Sequence, residues 1–416
     1  MIQSDHAHES QSMTRRGAEM AIAFLFAAAI IVVGGGAVFF VLTISPAFTD
    51  PAAVPSTAAA TQPGRYSGAV DESRRLARAL VVEENLPGLS VAVAVDGEIV
   101  WAEGFGWANI ERRAPVTPLT RFRLGSVSKT LTAAAVVLLH ERGRIDLDAP
   151  VQQYVPAYPK KHWTVTTRQL MGDVAGVQIV RGDNNDQVPH FDCQSIQDAL
   201  KFFAEEPLLF QPGTKYRFST NGWILLSAAV EAAAGEPFPT FMTREVFAPL
   251  GMESTVIEAD EMLPDTTSFY FPRANLDPKL GVEEASRRHN SCLFGAGAYL
   301  STPSDLARFG SAMLKPGLLK ADTIELLQTP LRLASGASTN FALGWKVERV
   351  QLNGASARMV AHRATPMGGT TALLMFPDQR LVIAAVSNVS DAEGVAPFAV
   401  KVADAFARPT NEPRAK

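Results

Sequence analysis

The sequence predicts an α+β fold, in which one antiparallel sheet is flanked by the terminal helices, an all-helical subdomain fills the middle, and one transmembrane helix precedes the domain. Three observations support this prediction. Strand-like segments occur early and late in the chain, helical segments lie between them, and an uncharged apolar stretch lies near the N-terminus. Strands and helices do not alternate regularly, as they would in a parallel sheet. Both sets of strands can therefore belong to one antiparallel sheet.

The apolar stretch near the N-terminus predicts a membrane anchor over residues 18–46. Met20–Thr49 carries no charge, and Ala21–Ile44 is almost wholly apolar. About 20 such residues are needed to span a bilayer, whereas a cleavable signal peptide usually has an apolar region of about 7–15. We therefore expect the helix to be retained, with secretion after signal cleavage as the alternative.

The charges around this span predict its orientation. Arg15 and Arg16 precede it, and residues 45–62 on its other side contain no Lys or Arg. Under the positive-inside rule, residues 1–17 then lie in the cytoplasm and the domain is exported. We expect a protein that crosses a bacterial inner membrane once and keeps its domain in the periplasm. The sequence does not indicate the oligomeric state.

Composition excludes several other functions. The chain has 416 residues and a formal net charge of −4, which gives no electrostatic basis for binding nucleic acid. It has no phosphate-loop motif and no Cys/His spacing that indicates zinc, so we predict neither a cofactor nor a metal. Cys193 and Cys292 either form a disulfide in an oxidising compartment or are two small buried hydrophobic residues.

Beyond the anchor, the chain divides into a linker, a domain and a tail. Residues 47–65 are rich in Ala, Pro, Ser and Thr and are predicted to be the linker, 66–409 the domain and 410–416 a polar tail. Periodicity and capping residues predict helices at Val70–Glu84, Leu131–Leu139, Thr166–Met171, Ser195–Ala204, Gly222–Ala234, Pro303–Leu314 and Ala396–Ala407. Strand patterns and turns predict strands at Leu89–Val95, Ile99–Gly106, Phe341–Gln351, Met359–His362, Thr371–Phe376 and Leu381–Val386.

The strongest chemical signal is the pair Ser126 and Lys129, at the start of the apolar helix Leu131–Leu139. Residues i and i+3 share one face of a helix, so a hydroxyl and an amine are predicted to lie side by side. A serine needs a neighbour to take its proton, and a lysine can do so if an apolar surround favours its neutral form. The helix N-terminus also favours negative charge that develops nearby. The pattern therefore indicates a nucleophile and its base.

Five stretches follow one another in the domain: FRLGSVSKTLTAAAVVLLHERGRIDLDAPVQQYVP, TTRQLMGDVAG, QPGTKYRFSTNGWILLSAAVEAAAG, GAGAYLSTPSDLARFGSAML and AHRATPMGGTTALLMFPD. Together they resemble the serine β-lactamase and penicillin-binding-protein superfamily, in its class C-like and esterase-like branch. Within that branch the chain resembles the mitochondrial serine β-lactamase-like protein family and its bacterial relatives. The resemblance covers roughly residues 66–409 and implies a β-lactamase/transpeptidase-like fold.

The resemblance implies a role for individual residues. Ser126 would be the acylated nucleophile and Lys129 its general base. The backbone N–H groups of Ser126 and Thr365 would form the oxyanion hole. His362 stands first in the third motif and would face the substrate carboxylate or the reacting centre, unless it is only a strand-edge histidine. The implied substrate is a small peptide-like amide or ester.

The chain departs from the family pattern in two motifs. The second motif, usually headed by Tyr, reads Phe218-Ser219-Thr220, so the hydroxyl that helps the lysine to move protons is missing. The third motif reads His362-Arg363-Ala364 and has lost its glycine, so a side chain would crowd the strand edge along which substrate lies. We expect Thr220, Arg363 and Ala364 to contact the substrate.

Three side chains leave alternatives open. Tyr216 could supply the missing hydroxyl, although its position usually holds an apolar packing residue. Asp173 replaces the usual His of its loop and is either a loop cap or a catalytic acid. Arg363 is either a solvated edge charge or a contact for an acidic substrate group. Two functions follow: a membrane-anchored serine hydrolase that works through an acyl-enzyme and is weak because of Phe218, or a degenerate relative that binds a ligand or scaffolds a partner without turnover.

Overall fold

The computed structural model describes residues 47–61, 64–178, 193–258, 263–273, 278–285 and 290–408, which belong to one unit that begins at Ala47. Across these ranges, no helix is both long enough and apolar enough to cross a bilayer. The anchor predicted over residues 18–46 and the tail at 410–416 lie outside the described residues.

Thirteen strands occur in the described residues, and eight of them form the main sheet. They are β1 (Ser56–Thr61), β2 (Gly88–Val95), β3 (Glu98–Asn109), β4 (Ala114–Pro115), β5 (Phe122–Arg123), β6 (Val256–Ile257), β7 (Tyr270–Pro272), β8 (Val282–Glu284), β9 (Tyr299–Ser301), β10 (Lys346–Leu352), β11 (Ala355–Ala364), β12 (Thr370–Phe376) and β13 (Leu381–Ser387). The main sheet has the order β1-β3-β2-β13-β12-β11-β10, with β4 also paired to β3. All its pairs are antiparallel, and the early and late strands meet where β2 pairs with β13. The prediction that the early and late strands share one antiparallel sheet is therefore confirmed. The middle of the chain is not all-helical as predicted, because β5, β9 and β6 form a small second sheet there and β7 pairs with β8.

Nine α-helices lie in the same residues and cover both faces of the sheet. They are α1 (Ser67–Glu83), α2 (Ser128–Glu141), α3 (Thr167–Met171), α4 (Ile196–Leu200), α5 (Thr220–Ala234), α6 (Phe238–Met242), α7 (Pro303–Ala312), α8 (Ala321–Gln328) and α9 (Val395–Ala407). Along β13, Leu381 and Ile383 enter the core that α1 and α9 cover. The alternate residues Val382 and Ala384 enter the other core, which holds α2, α5 and α7. The period-2 alternation of the strand thus separates the two cores.

Two further segments differ from the sequence prediction. Residues 47–65 are not simply a linker, because they contain strand β1, which pairs with β3 at the sheet edge, while Phe48 and Val54 are buried. An edge strand forms backbone hydrogen bonds on one side only, so a segment of Ala, Ser and Thr can form one without large apolar side chains. The composition of this segment therefore gave no sign of a strand. The strand expected from Phe341 begins instead at Lys346, because Gly344, with φ +86°, turns the chain first.

Cys193 and Cys292 form a disulfide, which decides between the two alternatives for this pair. The bridge joins the chain just before α4 to a 3₁₀ segment, Ser291–Ala296, that packs against α2 and α5. A hydrogen bond from the Cys193 backbone to Ser291 Oγ, at 3.1 Å, adds a second link. The position of this short segment matters because it borders the candidate site.

Candidate active site

Ser126 lies in a tight turn that leads directly into α2. Gly125–Val127 forms one 3₁₀ turn, and Gly125 has φ +52°, a conformation that favours glycine. Ser126 is half-buried, whereas every residue of α2 from Ser128 to Leu139 is buried. The hydroxyl can therefore reach a substrate while it stays at the positive end of a buried helix.

Lys129 is almost fully buried beside it, with 1% of its surface exposed. Its Nζ donates to Ser126 Oγ at 2.9 Å and to the carbonyl oxygen of Ala296 at 2.9 Å. Ala296 ends the 3₁₀ segment that the disulfide holds through Cys292. Hydroxyl and amine thus lie side by side, as the i,i+3 spacing predicts, and a distant backbone carbonyl fixes the amine.

The second motif reaches the same lysine. Lys129 Nζ lies 4.5 Å from the centroid of the Phe218 ring, within the range of a cation–π contact. Ser219 caps α5, because its Oγ accepts a hydrogen bond from Gly222 N at 3.1 Å. Thr220 is the first residue of α5 and is buried. The motif therefore offers Lys129 an aromatic face and no hydroxyl.

The third motif forms the end of β11. Residues 362–364 pair with β12 on one side, but on the other side the pairing with β10 stops at Ala361 and Lys346. Among the described strands, none pairs with residues 362–364 on that side, so their backbone edge is open. Ala364, which replaces the family glycine, is 9% exposed.

One ring nitrogen of His362 is already used in a hydrogen bond within the protein. Nδ1 lies 2.8 Å from the carbonyl oxygen of Gly344, and because a carbonyl only accepts, Nδ1 must donate. Burial lowers the pKa of His362 to about 4, assisted by the charge of Lys129 and opposed by the Gly344 contact. The ring is therefore neutral near pH 7 with Nε2 as an acceptor, which favours contact with the reacting centre over pairing with a substrate carboxylate. Arg363 is exposed and ion-paired with Glu348 at 3.1 Å.

The two predicted oxyanion donors lie on segments that touch. Thr365 follows β11 directly and is exposed. The ring of Pro366, the next residue, packs against Gly125, so that a Cβ on Gly125 would lie 2.7 Å from Pro366 Cβ. The backbone of Ser126 and that of Thr365 are thus each one residue from this contact.

A buried ion pair holds these two segments together. The Arg123 guanidinium donates to both carboxylate oxygens of Glu258 and, through Nη1, to the carbonyl oxygen of Met367 at 2.8 Å. It also lies 3.8 Å from the centroid of the Phe269 ring. Arg123 comes just before the nucleophile turn and Met367 just after Pro366, so the pair positions both halves of the predicted oxyanion hole.

A cavity of about 230 Å³ adjoins the site. Its wall consists of aromatic, sulfur-containing, small and charged residues: Met171, Asp173, Tyr216, Phe218, Phe341, Ala342, Gly344, Lys346, Glu348, Ala361, His362 and Arg363. Tyr216 stacks on Phe341 with ring centroids 4.5 Å apart. Within the described residues its hydroxyl makes no hydrogen bond to Ser126 or Lys129, so this conformation does not supply the missing tyrosine function.

Asp173 is the buried acid of this cavity. Its Oδ1 accepts hydrogen bonds from Ser219 N and Trp223 Nε1, each at 3.2 Å, and 8% of the residue is exposed. Burial raises the pKa of Asp173 to about 7, although the charge of Lys129 and the two hydrogen bonds act in the opposite direction. Asp173 therefore braces the second motif, as a loop cap would, and also lines the cavity.

Sequence reasoning missed the Ala296 carbonyl and the cavity. No sequence signal marks a backbone acceptor that lies 167 residues beyond Lys129. For Asp173 a signal existed, since an acid replaces the family His beside the second motif. In the part of the chain that the structure describes, no group of His, Cys, Asp or Glu side chains could hold a metal ion.

The family model described as Beta-lactamase matches residues 73–405. The chain belongs to the beta-lactamase family. Among its relatives, the mouse protein "Serine beta-lactamase-like protein LACTB, mitochondrial" is 29% identical over 437 residues, which cover 82% of this chain and 78% of the relative. "Penicillin-binding protein 4*" of Bacillus subtilis (strain 168) is 25% identical over 312 residues, which cover 72% and 67%. Both results confirm the superfamily indicated by the five sequence stretches.

A solved structure shows the same beta-lactamase-family fold. The structure titled "Beta-Lactamase/D-Alanine Carboxypeptidase from Pseudomonas syringae" aligns with a TM-score of 0.68 and 19% identity, and covers 82% of this chain and 100% of that one. At this identity the likeness concerns the fold alone. The roles of the site residues stay predictions.

Proposed function

We propose that the chain is a serine hydrolase that cleaves a peptide-like amide or ester through an acyl-enzyme on Ser126. The observation that carries the proposal is the 2.9 Å hydrogen bond between Lys129 Nζ and Ser126 Oγ at the start of a buried helix. Members of the beta-lactamase family are serine hydrolases, and the geometry of the pair in this chain supports the same chemistry.

The proposed reaction has two steps. In the first, neutral Lys129 takes the proton of Ser126 Oγ as the oxygen attacks the substrate carbonyl carbon, and the N–H groups of Ser126 and Thr365 stabilise the oxyanion. The bond to the leaving group breaks, the leaving group takes the proton from Lys129, and the acyl group stays on Oγ. In the second, water attacks the acyl carbon, Lys129 accepts a proton from it, and the acid leaves as Ser126 recovers its proton.

The open edge of β11 supports the peptide-like substrate. An extended chain can add to such an edge through backbone hydrogen bonds, and residues 362–364 offer these groups next to the third motif. His362 would face the reacting centre, with Arg363, Ala364 and Thr220 along the bound substrate.

Because Phe218 replaces the tyrosine implied by the family resemblance, we propose that the hydrolase turns over slowly. A positioned acid–base group contributes about 10²–10⁴-fold to rate, and the ring beside Lys129 has no hydroxyl to contribute. The same observation, with Ala364 in place of glycine, favours a second candidate: a ligand-binding or scaffold protein of the same family that does not turn over.

Labelling with a fluorophosphonate probe tests the proposal. Ser126 should be the serine that reacts, as mapped by peptide mass spectrometry, and Ser126→Ala should abolish the reaction. Labelling that persists in Ser126→Ala would place the active site elsewhere. An unlabelled but folded wild-type protein would instead support the second candidate.

We also propose a periplasmic domain held by an anchor at residues 18–46. Support comes from the uncharged apolar span and from the disulfide between Cys193 and Cys292, since disulfides form and persist in oxidising compartments. Alkaline phosphatase fused after Gln62 should be active in bacteria. An inactive fusion, together with an active cytoplasmic reporter at the same point, would contradict the topology.

A further inference from the structure

We propose that the cavity beside the Ser126–Lys129 pair binds a primary ammonium group of the substrate, carried on a short apolar stem. The proposal rests on the proposed hydrolase function and names a substrate class for that site. It is carried by two hydrogen-bond acceptors and three aromatic rings in the cavity wall.

The two acceptors belong to Asp173 and His362. Asp173 uses Oδ1 for Ser219 and Trp223, and within the described chain its Oδ2 makes no hydrogen bond. His362 donates through Nδ1 to Gly344, and its Nε2 likewise has no hydrogen-bond partner among the described residues. In its ionised form the Asp173 carboxylate accepts at Oδ2, and the neutral imidazole accepts at Nε2, so both complement a ligand that donates hydrogen bonds.

The aromatic rings favour a donor that is also a cation. Tyr216, Phe218 and Phe341 all line the cavity, and aromatic faces attract ammonium groups through their quadrupoles. Met171 adds apolar wall for a hydrocarbon stem. A volume of about 230 Å³ is below the roughly 300–1,000 Å³ of whole-ligand pockets, so the cavity suits one side group of a larger substrate.

The charges of the wall are compatible with this ligand. Lys346 and Arg363 both pair with Glu348, and their side chains are 39% and 40% exposed, so solvent screens them. Lys129 is not among the residues of the wall; its charge acts on both Asp173 and His362, while its Nζ donates to Ser126 and to a backbone carbonyl. A carboxylate in the cavity would be repelled by Asp173. A purely apolar group would leave both acceptors without partners, which costs binding free energy.

Binding to the full-length Ser126→Ala protein tests the cavity without turnover. Calorimetric titration with hexylamine, hexan-1-ol and hexanoate should show the amine binding at least about tenfold more tightly than the alcohol, with the acid weakest. Asp173→Asn, added to this protein, keeps an oxygen for Ser219 and Trp223 and should abolish the preference. Glu72→Gln removes a carboxylate that pairs with Arg408 and does not line the cavity, and it should preserve the preference for the amine.

Rates with matched esters test whether the cavity serves the substrate. The mono-p-nitrophenyl ester of pimelic acid and the p-nitrophenyl esters of 6-aminohexanoic and heptanoic acid share a chain of five methylenes and differ only in the group at its end. In the protein with Ser126 intact, kcat/KM for the amino ester should exceed that for the heptanoyl ester about tenfold, and Asp173→Asn should bring the ratio close to one.

The outcomes separate this proposal from the hydrolase proposal. Equal binding of hexylamine and hexanol, a preference that survives Asp173→Asn, or equal rates for the three esters would each overturn the ammonium site while the hydrolase stands. If Ser126 neither labels nor turns over an ester, the hydrolase proposal fails, and the titrations still decide whether the cavity binds an amine.

Discussion

The amine nitrogen of Lys129 lies 4.5 Å from the centre of the Phe218 ring, at the position where the family resemblance implies a tyrosine. The lysine is otherwise arranged as a base should be, with the Ser126 hydroxyl on one side and the Ala296 carbonyl on another. Around the lysine, this site therefore differs from the family pattern by the hydroxyl oxygen that a tyrosine at position 218 would carry.

Phe218→Tyr should restore amide cleavage more than ester cleavage. An amide nitrogen must be protonated to leave, whereas a good ester leaving group needs less help, so kcat/KM should rise about tenfold or more for an amide and less for the matched ester. Tyr216→Phe, which removes a hydroxyl elsewhere in the cavity, should leave the ratio unchanged. If wild type already cleaves the amide well and Phe218→Tyr adds nothing, another residue supplies the proton.

Lys129→Met should slow fluorophosphonate labelling of Ser126 by about 10²–10⁴-fold, because it keeps the length of the side chain and removes the amine. The rate is measured by gel fluorescence over time, with circular dichroism to verify the fold. Lys346→Met, at the cavity rim, serves as the control and should label at the wild-type rate. Fast labelling of Lys129→Met would show that Ser126 is activated by a different base.

Glu258→Gln should lower the free energy of unfolding by about 3–5 kcal/mol, because it leaves the buried Arg123 guanidinium without its charged partner. Urea denaturation measures the change. Glu72→Gln provides the comparison: it breaks a pair with Arg408, whose side chain is 49% exposed, and should cost less than about 1 kcal/mol. Similar losses in the two variants would mean that the buried pair has no special structural role.

Removing the disulfide by Cys193→Ala with Cys292→Ala should lower the free energy of unfolding by about 2–5 kcal/mol, since the bridge closes a long loop, with 99 residues of sequence separation. The melting temperature of wild type should fall in dithiothreitol, and that of the double variant should not respond. A wild-type protein that ignores the reductant while its thiols become titratable would contradict this expectation.

The free energy of unfolding of Asp173→Asn, relative to that of the wild type, should be higher at pH 8 than at pH 4. Burial raises the pKa of Asp173 to about 7, so between pH 4 and 7 the folded state binds more protons than the unfolded state, and stability falls as pH rises. His362, whose pKa is lowered to about 4, acts in the opposite direction, so the wild-type profile alone is ambiguous. The difference between the two proteins, expected to change by more than about 1 kcal/mol across this range, isolates Asp173. A constant difference would show that Asp173 does not titrate there.

The sequence was sufficient for the features that depend on local periodicity. Apolar strand-like runs and the turns between them predicted β2, β12 and β13 to within one residue, because both sides of these strands face a core. The spacing of Ser126 and Lys129 predicted their contact, since i and i+3 share a helix face at any position in a chain.

Features that depend on distant partners could not be predicted. The edge strand β1 forms because β3 offers it backbone hydrogen-bonding groups, and not because a residue such as Ala58 prefers a strand. Pairing of Cys193 with Cys292 depends on where α4 and the 3₁₀ segment meet. Likewise, the tilt of Tyr216 onto Phe341, rather than toward Lys129, is set by the packing of a segment more than a hundred residues later.

The contact between Gly125 and Pro366 has a consequence for redesign of this chain. Because the pyrrolidine ring fills the space where a side chain at position 125 would begin, the nucleophile turn and the loop after β11 cannot be varied one at a time. A saturation library at position 125 alone should return only glycine among its active clones, whatever substrate is screened. Libraries intended to enlarge the active site should randomise positions 125 and 366 together, so that a smaller residue at position 366 leaves space for a side chain at position 125.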